Sequence, residues 1–247
     1  MAQERCIPLI YRQEAILQNV VIEKLSLITA AYLEQQARFK KLYPPDDVRP
    51  WTFQKIAQIL AYYRLSLCYS FGILSRSDNV SKILEPEKAV LIHPERAGLI
   101  LKEYEQYITF SFFHVLFSSF ESSMRSIVAK VPLPKGKGKL HRDTAKFSDI
   151  YNGLIDYTGV NGQYRNLFEL LLMVRNCIHN RSIYSSEKGS KSVTYKGVTY
   201  DFIQGKPIEF ASIELIFDWL LDLMAFFAEV FDSPCMMRET HIQDNVL

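Results

Sequence analysis

Arg175, Asn176, His179 and Asn180 stand together at the end of a strongly apolar run, Leu167, Phe168, Leu170, Leu171, Leu172 and Val174. Arg175 and His179 are four residues apart, so an α-helix sets their side chains one above the other on one face. Asn176 and Asn180 repeat the spacing one step round. A guanidinium that is always charged, beside an imidazole that titrates near neutrality, suits the gripping or cleavage of a phosphodiester. The same residues also suit a plainer task. Cations near a helix C-terminus favour the macrodipole and can donate to its orphan carbonyls. Both readings stand on the residues alone.

Other chemistries find little support. The four cysteines, Cys6, Cys68, Cys177 and Cys235, have no C-x-x-C spacing, and the five histidines are dispersed, so neither a metal site nor a disulfide framework is signalled. No cofactor fingerprint is present. Lys135, Lys137, Lys139 and Arg142 lie in a Pro/Gly segment that could grip phosphate, although charge runs of this kind are more often solvated loops. Glu121 and Arg125 have the spacing of a helix-surface ion pair; the functional alternative turns Glu121 inward to orient Arg175. His114 lies in a nearly all-apolar run and reads as a core histidine with one satisfied nitrogen. Tyr62, Tyr63, Tyr69 and Phe71 could stack bases, but aromatics at helical spacing usually pack in a core.

The elements that must position these residues are mostly helices. Residues 10–42 carry helical periodicity and end at Tyr43-Pro44-Pro45, and Pro50-Trp51 open a second helix reaching Leu74. The stretch 75–93 is polar and broken. A long helix follows from Pro94 to Lys130, and its centre, Phe110–Phe117, apolar nearly all round, marks it as the central core helix. Pro132–Lys139 reads as a loop. A helix at 144–157 ends at Gly159, and the motif helix covers 162–180 with Asn161 as its N-cap. The pattern then switches to strand alternation over Ser192–Phe202 about a Lys196-Gly197 turn, which predicts a β-hairpin, with 207–210 as a third short strand. A last helix occupies 211–232.

The fold class is therefore mainly α: a helical bundle with one small β-hairpin or meander near 192–210 and no other sheet. The net charge of +2 requires any nucleic-acid contact to come from a local patch. The apolar segment 213–231 keeps a whole acidic stripe, Glu214, Asp218, Asp222 and Glu229, which a membrane-spanning helix would not. No signal-peptide pattern opens the chain, so a soluble, cytoplasmic protein without a membrane partner is expected.

An apolar helix ending in Arg175-Asn176-Cys177-Ile178-His179-Asn180, followed by a loop and a β-ribbon, resembles the HEPN superfamily of all-helical domains. Phe117–Arg125 resembles the earlier helix of that family, which carries an acidic residue facing the motif, and Tyr195–Phe202 resembles the ribbon of some bacterial HEPN-like proteins. The resemblance covers 100–232. It departs from the family in one respect: three residues separate Arg175 from His179, where the family has four to six.

The resemblance implies a homodimer with a composite site and metal-independent RNA cleavage, in a prokaryotic toxin–antitoxin or antiviral defence setting, with an antitoxin or regulatory protein as a further partner. Carried over to this chain, Arg175 holds the phosphate, His179 is general acid or base, and Asn176 orients them, with Asn180, Glu121 and Arg181 in support. The alternative is a non-catalytic HEPN-like module that binds a nucleotide, RNA or a partner protein. A single globular domain over 1–247 is expected, with a helical N-terminal extension (1–75), the HEPN-like part (94–232) and a loosely ordered tail (233–247).

Overall fold

Pro44 and Pro45 break the first helical run, and the chain turns back on itself there. In the computed structural model, which describes residues 9–74, 97–131, 133–135, 138–180, 182–208, 210 and 212–244, α1 spans Leu9–Lys40 and α2 spans Val48–Tyr69. Their antiparallel pairing is fixed at both ends. Gln36 meets Gln54 near the turn, and Arg64 donates to Ser26 Oγ at 2.7 Å further along. Asp47 caps α2 by accepting from the Arg49 amide, and Pro50 sits in the first turn, where its missing N–H goes unused. One π turn, Ser70–Leu74, closes the helix.

The long helix α3, Ala97–Lys130, crosses α2 through Tyr63, whose ring stacks on Phe112 at 4.1 Å and whose hydroxyl lies 2.9 Å from Thr109 Oγ1. Only part of α3 is buried, contrary to the reading of its centre as apolar on all sides and enclosed. Phe112, Phe113, Leu116, Phe117 and Phe120 face the core, whereas Tyr107, Phe110, His114 and Val115 are exposed.

After α3 the expected loop contains a second sheet. Strands β1 (Pro134–Lys135) and β2 (Gly138–Lys139) pair antiparallel, and Leu140 N–H extends the ladder to Leu133 O. The 192–210 ribbon is therefore not the only sheet. Helix α4, Phe147–Thr158, stops at Gly159, whose φ of 71° is left-handed and suits a residue without Cβ.

Helix α5, Tyr164–His179, carries the motif. Its start differs from the expected Asn161 cap. Asn161 Oδ1 accepts from the Gln163 amide, and the amides of residues 164–166 bond to carbonyls three residues back, so the chain winds into the helix through a tighter turn. Strands β3 (Lys191–Tyr195) and β4 (Val198–Phe202) form the predicted hairpin, with positive φ at both Lys196 and Gly197 as a type I′ turn requires. Among the described residues no third strand joins it, and Glu209 of the expected strand lies outside them; Pro207 makes a single bridge to Ile183. Helix α6, Ile213–Asp232, is capped by Ser212, and its acidic stripe is put to use: Asp222 accepts from the Tyr195 hydroxyl and Glu229 from that of Tyr164.

Rings from four helices meet in one core. Phe168 of α5 lies 4.6 Å from Phe226 of α6, 5.4 Å from Tyr151 of α4 and 6.1 Å from Phe120 of α3. Phe231 extends this cluster to Phe39 of α1 and Phe53 of α2, so the N-terminal helices share the core.

As far as Asp244 the segment after Ser233 is docked rather than loose; residues 245–247 of the expected tail lie outside the described residues. The short helix α7, Pro234–Met237, leads to a stretch that docks on the start of α2. Val48 N–H donates to Ile242 O, Asp47 pairs with Gln243 as an isolated bridge, and Lys55 bonds Asp244 at 2.5 Å. Met236, Ile242 and Asp244 are buried. Burial of Ile242 and Met236 drives this docking, and the buried pair Asp47–Arg49 requires it, because Arg49 donates to the carbonyls of Met236 and Glu239. Among the described residues, no helix is long and apolar enough to cross a membrane.

Candidate functional site

The amphipathic α5 buries Leu167, Phe168, Leu171 and Val174 and leaves Arg175, Asn176 and His179 at its open end. His179 stands in the last turn, where a cation suits the macrodipole, but no side-chain bond from it or from Arg175 to the end carbonyls is formed among the described residues. Asn180 N–H bonds to Asn176 O and Cys177 O, and Ser182, at φ 66°, returns its N–H to Cys177 O at 2.8 Å. Backbone amides thus close the helix, and the two cationic side chains are released from that task. Arg175 Nη1 donates instead to Asn176 Oδ1 at 3.2 Å, and its Cζ lies 5.5 Å from the Phe117 ring centre. Arg175 Nε is buried without a partner.

Arg175, Asn176, His179, Asn180 and Ser185 line one open hollow. Ser185 is brought there by the loop that follows α5, which Tyr184 ties to residues 205 and 206 through two backbone bonds. Across the hollow's edge stands His114 of α3. Its ring meets that of His179 at 5.0 Å, edge to face at 87°. His114 was expected in the core; it is exposed and beside the motif instead. Its apolar neighbours in sequence gave no sign of this, but its position one turn from Phe117 places it on the side of α3 that α5 approaches.

The pKa of His179 is depressed below its ordinary value, first by lost hydration, then by the charge of Arg175 and by His114. His179 is therefore neutral at pH 7 and free to accept a proton or a hydrogen bond. Because its folded pKa lies below the unfolded one, the unfolded chain takes the proton more readily. As pH falls from 6.5 through the folded value, stability that was fully present above is lost. NMR titration of the imidazole carbons is expected to give a midpoint below 6.5 that rises in Arg175→Ala; an unchanged or falling midpoint would show that the guanidinium does not act on this ring. Burial lifts the Cys177 thiol to about 11, so it offers no thiolate nucleophile beside the motif.

The other expected site residues lie elsewhere or are differently engaged. Glu121 does not orient Arg175; its Oε1 accepts from Nε and Nη2 of Arg125. Arg125 in turn donates to the carbonyls of Arg142 and Ala145, so the pair clamps the loop before α4. Arg142 faces Asp143 at 3.7 Å. The side chains of Lys135 and Lys139, and the whole of Lys137 and Arg181, lie outside the described residues. The aromatic stripe of α2 divides: Tyr63 is buried, and Tyr62 and Tyr69 are exposed. Among the described residues no three His, Cys, Asp or Glu side chains gather as metal ligands.

A larger cleft of about 870 Å³ opens on the other flank of α5, with Phe110, Phe113, Val174, Ile178 and Ile216 as its apolar lining and Lys102 at its rim. The hollow beside Arg175 and His179 is the smaller of the two and brings a guanidinium and an imidazole together, whereas the larger cleft carries Lys102 and Glu105. Comparison with known proteins returned no match: no family model, no curated protein and no solved structure matches this chain.

Proposed function

We propose that this chain is a HEPN-like protein that cleaves RNA without a metal at the cluster Arg175, Asn176 and His179. The observation that carries the reading is the freedom of Arg175 and His179. Backbone amides cap their helix, and both side chains open into one hollow with His179 neutral. In this reading Arg175 matches the charge that develops on the phosphorane, His179 transfers a proton, and Asn176 steadies the guanidinium it already touches. The exposed α3 residues Tyr107, Phe110, His114 and Val115, of which His114 adjoins His179, would receive a second copy of the chain. The setting proposed is cytoplasmic, in prokaryotic toxin–antitoxin or antiviral defence, with a protein partner that restrains the activity.

The test is incubation of the purified protein with mixed RNA and with single-stranded DNA in EDTA. RNA is expected to be cut to cyclic-phosphate ends and DNA spared, because the 2′-hydroxyl is the nucleophile. His179→Ala is expected to lower the rate on the order of a hundredfold or more, Arg175→Ala by a comparable factor, and Asn176→Ala by less. A second reading, a non-catalytic module binding a nucleotide, RNA or partner protein, is favoured by the larger cleft, which lies away from these residues. An inert wild type that still binds RNA or a nucleotide would select it.

A further inference from the structure

His114 and Phe117 are three residues apart on α3, and Arg175 and His179 are four apart on α5. The two pairs meet in antiparallel order, His114 against His179 and Phe117 beneath Arg175. One helix pair thus presents two imidazoles and one guanidinium at a single edge. Both histidines are exposed, so core packing does not dictate where they stand. Neither ring takes part in a hydrogen bond that holds the fold together among the described residues. The plain alternative is a stacked surface pair, since edge-to-face rings favour separations of this size. That alternative leaves unexplained why the pair adjoins the one open guanidinium of the motif helix.

We infer that His114 is the second acid–base group of the site, so that two imidazoles divide the proton transfers of RNA cleavage. The inference rests on the RNA-cleaving reading. Neutral His179 takes the proton of the ribose 2′-hydroxyl as that oxygen bonds to phosphorus. The bond from phosphorus to the 5′-oxygen breaks, and protonated His114 gives its proton to the leaving oxygen. One proton enters the pair and one leaves, the products are a cyclic phosphate and a 5′-hydroxyl, and exchange with water restores the starting state. Arg175, one turn before His179 on α5 and over the Phe117 ring of α3, balances the phosphorane charge. The groups that bear on His179 are Arg175 from its own helix and His114 from α3, and both disfavour its protonated form. That suits it as the base and leaves the acid's role to the ring across the edge.

Two substrates separate the roles. A ribodinucleotide has an alkoxide leaving group that needs a proton, whereas a nucleoside 3′-(4-nitrophenyl phosphate) has a leaving group that does not. With the dinucleotide, His114→Asn and His179→Asn are each expected to lose on the order of a hundredfold in kcat. With the nitrophenyl ester, His114→Asn is expected to return to near the wild-type rate and His179→Asn to stay impaired. Equal losses of His114→Asn with both substrates would mark it as a positioning residue only and overturn the inference. A His114→Asn variant that cuts the dinucleotide as fast as wild type, while His179→Asn does not, would overturn it and leave the RNA-cleaving reading standing. A wild type inert on both substrates would remove that reading and the inference with it.

Discussion

Arg49→Ala is expected to destabilise the protein by about 3–5 kcal/mol, the range found when one partner of a buried ion pair is removed. Arg49 and Asp47 are both 0% exposed, and Arg49 Nη2 and Nε reach the two carboxylate oxygens of Asp47 at 2.6 and 2.8 Å. The remaining guanidinium donors serve Met236 O and Glu239 O, both at 3.0 Å, and its Cζ lies 3.3 Å from the Tyr43 ring centre. Truncation strands a buried carboxylate and two carbonyls at once. Arg49→Lys is expected to recover little, because a point charge on a flexible stem cannot reproduce a planar fork with this many fixed partners. Urea unfolding followed by circular dichroism would measure both variants. A loss below about 1 kcal/mol, the scale of an exposed pair, would mean that water reaches the site.

Phe168→Ala is expected to cost about 3–5 kcal/mol, since it removes a buried ring whose neighbours on several helices cannot all collapse inward. Phe168 is fully buried and contacts rings of α3, α4 and α6 together. It also anchors the second turn of α5, two to three turns before Arg175 and His179. The same variant should therefore weaken the proposed cleavage even under conditions where the protein remains folded. Phe168→Leu, which keeps most of the volume, should lose less in both respects. Calorimetric Tm values and cleavage rates on the two variants provide the check, and a folded Phe168→Ala protein with undiminished rate would detach the site from this core.

The helices were legible because each carries its period in its own residues: α5 shows its buried stripe at Leu167, Leu171 and Val174, and α6 its acidic one. The β3–β4 turn was equally legible, since Lys196-Gly197 between alternating runs leaves few other conformations. What escaped the sequence depends on partners far along the chain. Asp47 follows the Pro44-Pro45 breaker closely, and nothing local announces that it will accept from the amide of Ile242. The pairing of Pro134–Lys135 with Gly138–Lys139 is too short to leave an alternating pattern. For the site, the grouping of Arg175, Asn176 and His179 was readable from spacing, but whether they serve as caps depends on Ser182 adopting a left-handed conformation. His114 stayed hidden because a run of aromatic residues looks the same whether a helix is enclosed on three sides or on all.

The clasp at Arg49 also orders events in time. Its backbone partners lie 187 and 190 residues further along the chain, and the amide that Asp47 serves lies 195 residues on. At ribosomal speeds of about 5–20 residues per second, those groups emerge on the order of ten to forty seconds after Arg49 itself. Throughout that interval the α1–α2 hairpin holds an arginine and an aspartate that cannot be buried without their distant carbonyls and amide, so its turn end stays hydrated while its other end packs. Synthesis of the last dozen described residues closes it. A nascent chain interrupted before Met236 would hence leave Asp47 and Arg49 without the distant carbonyls and amide that let the pair be buried.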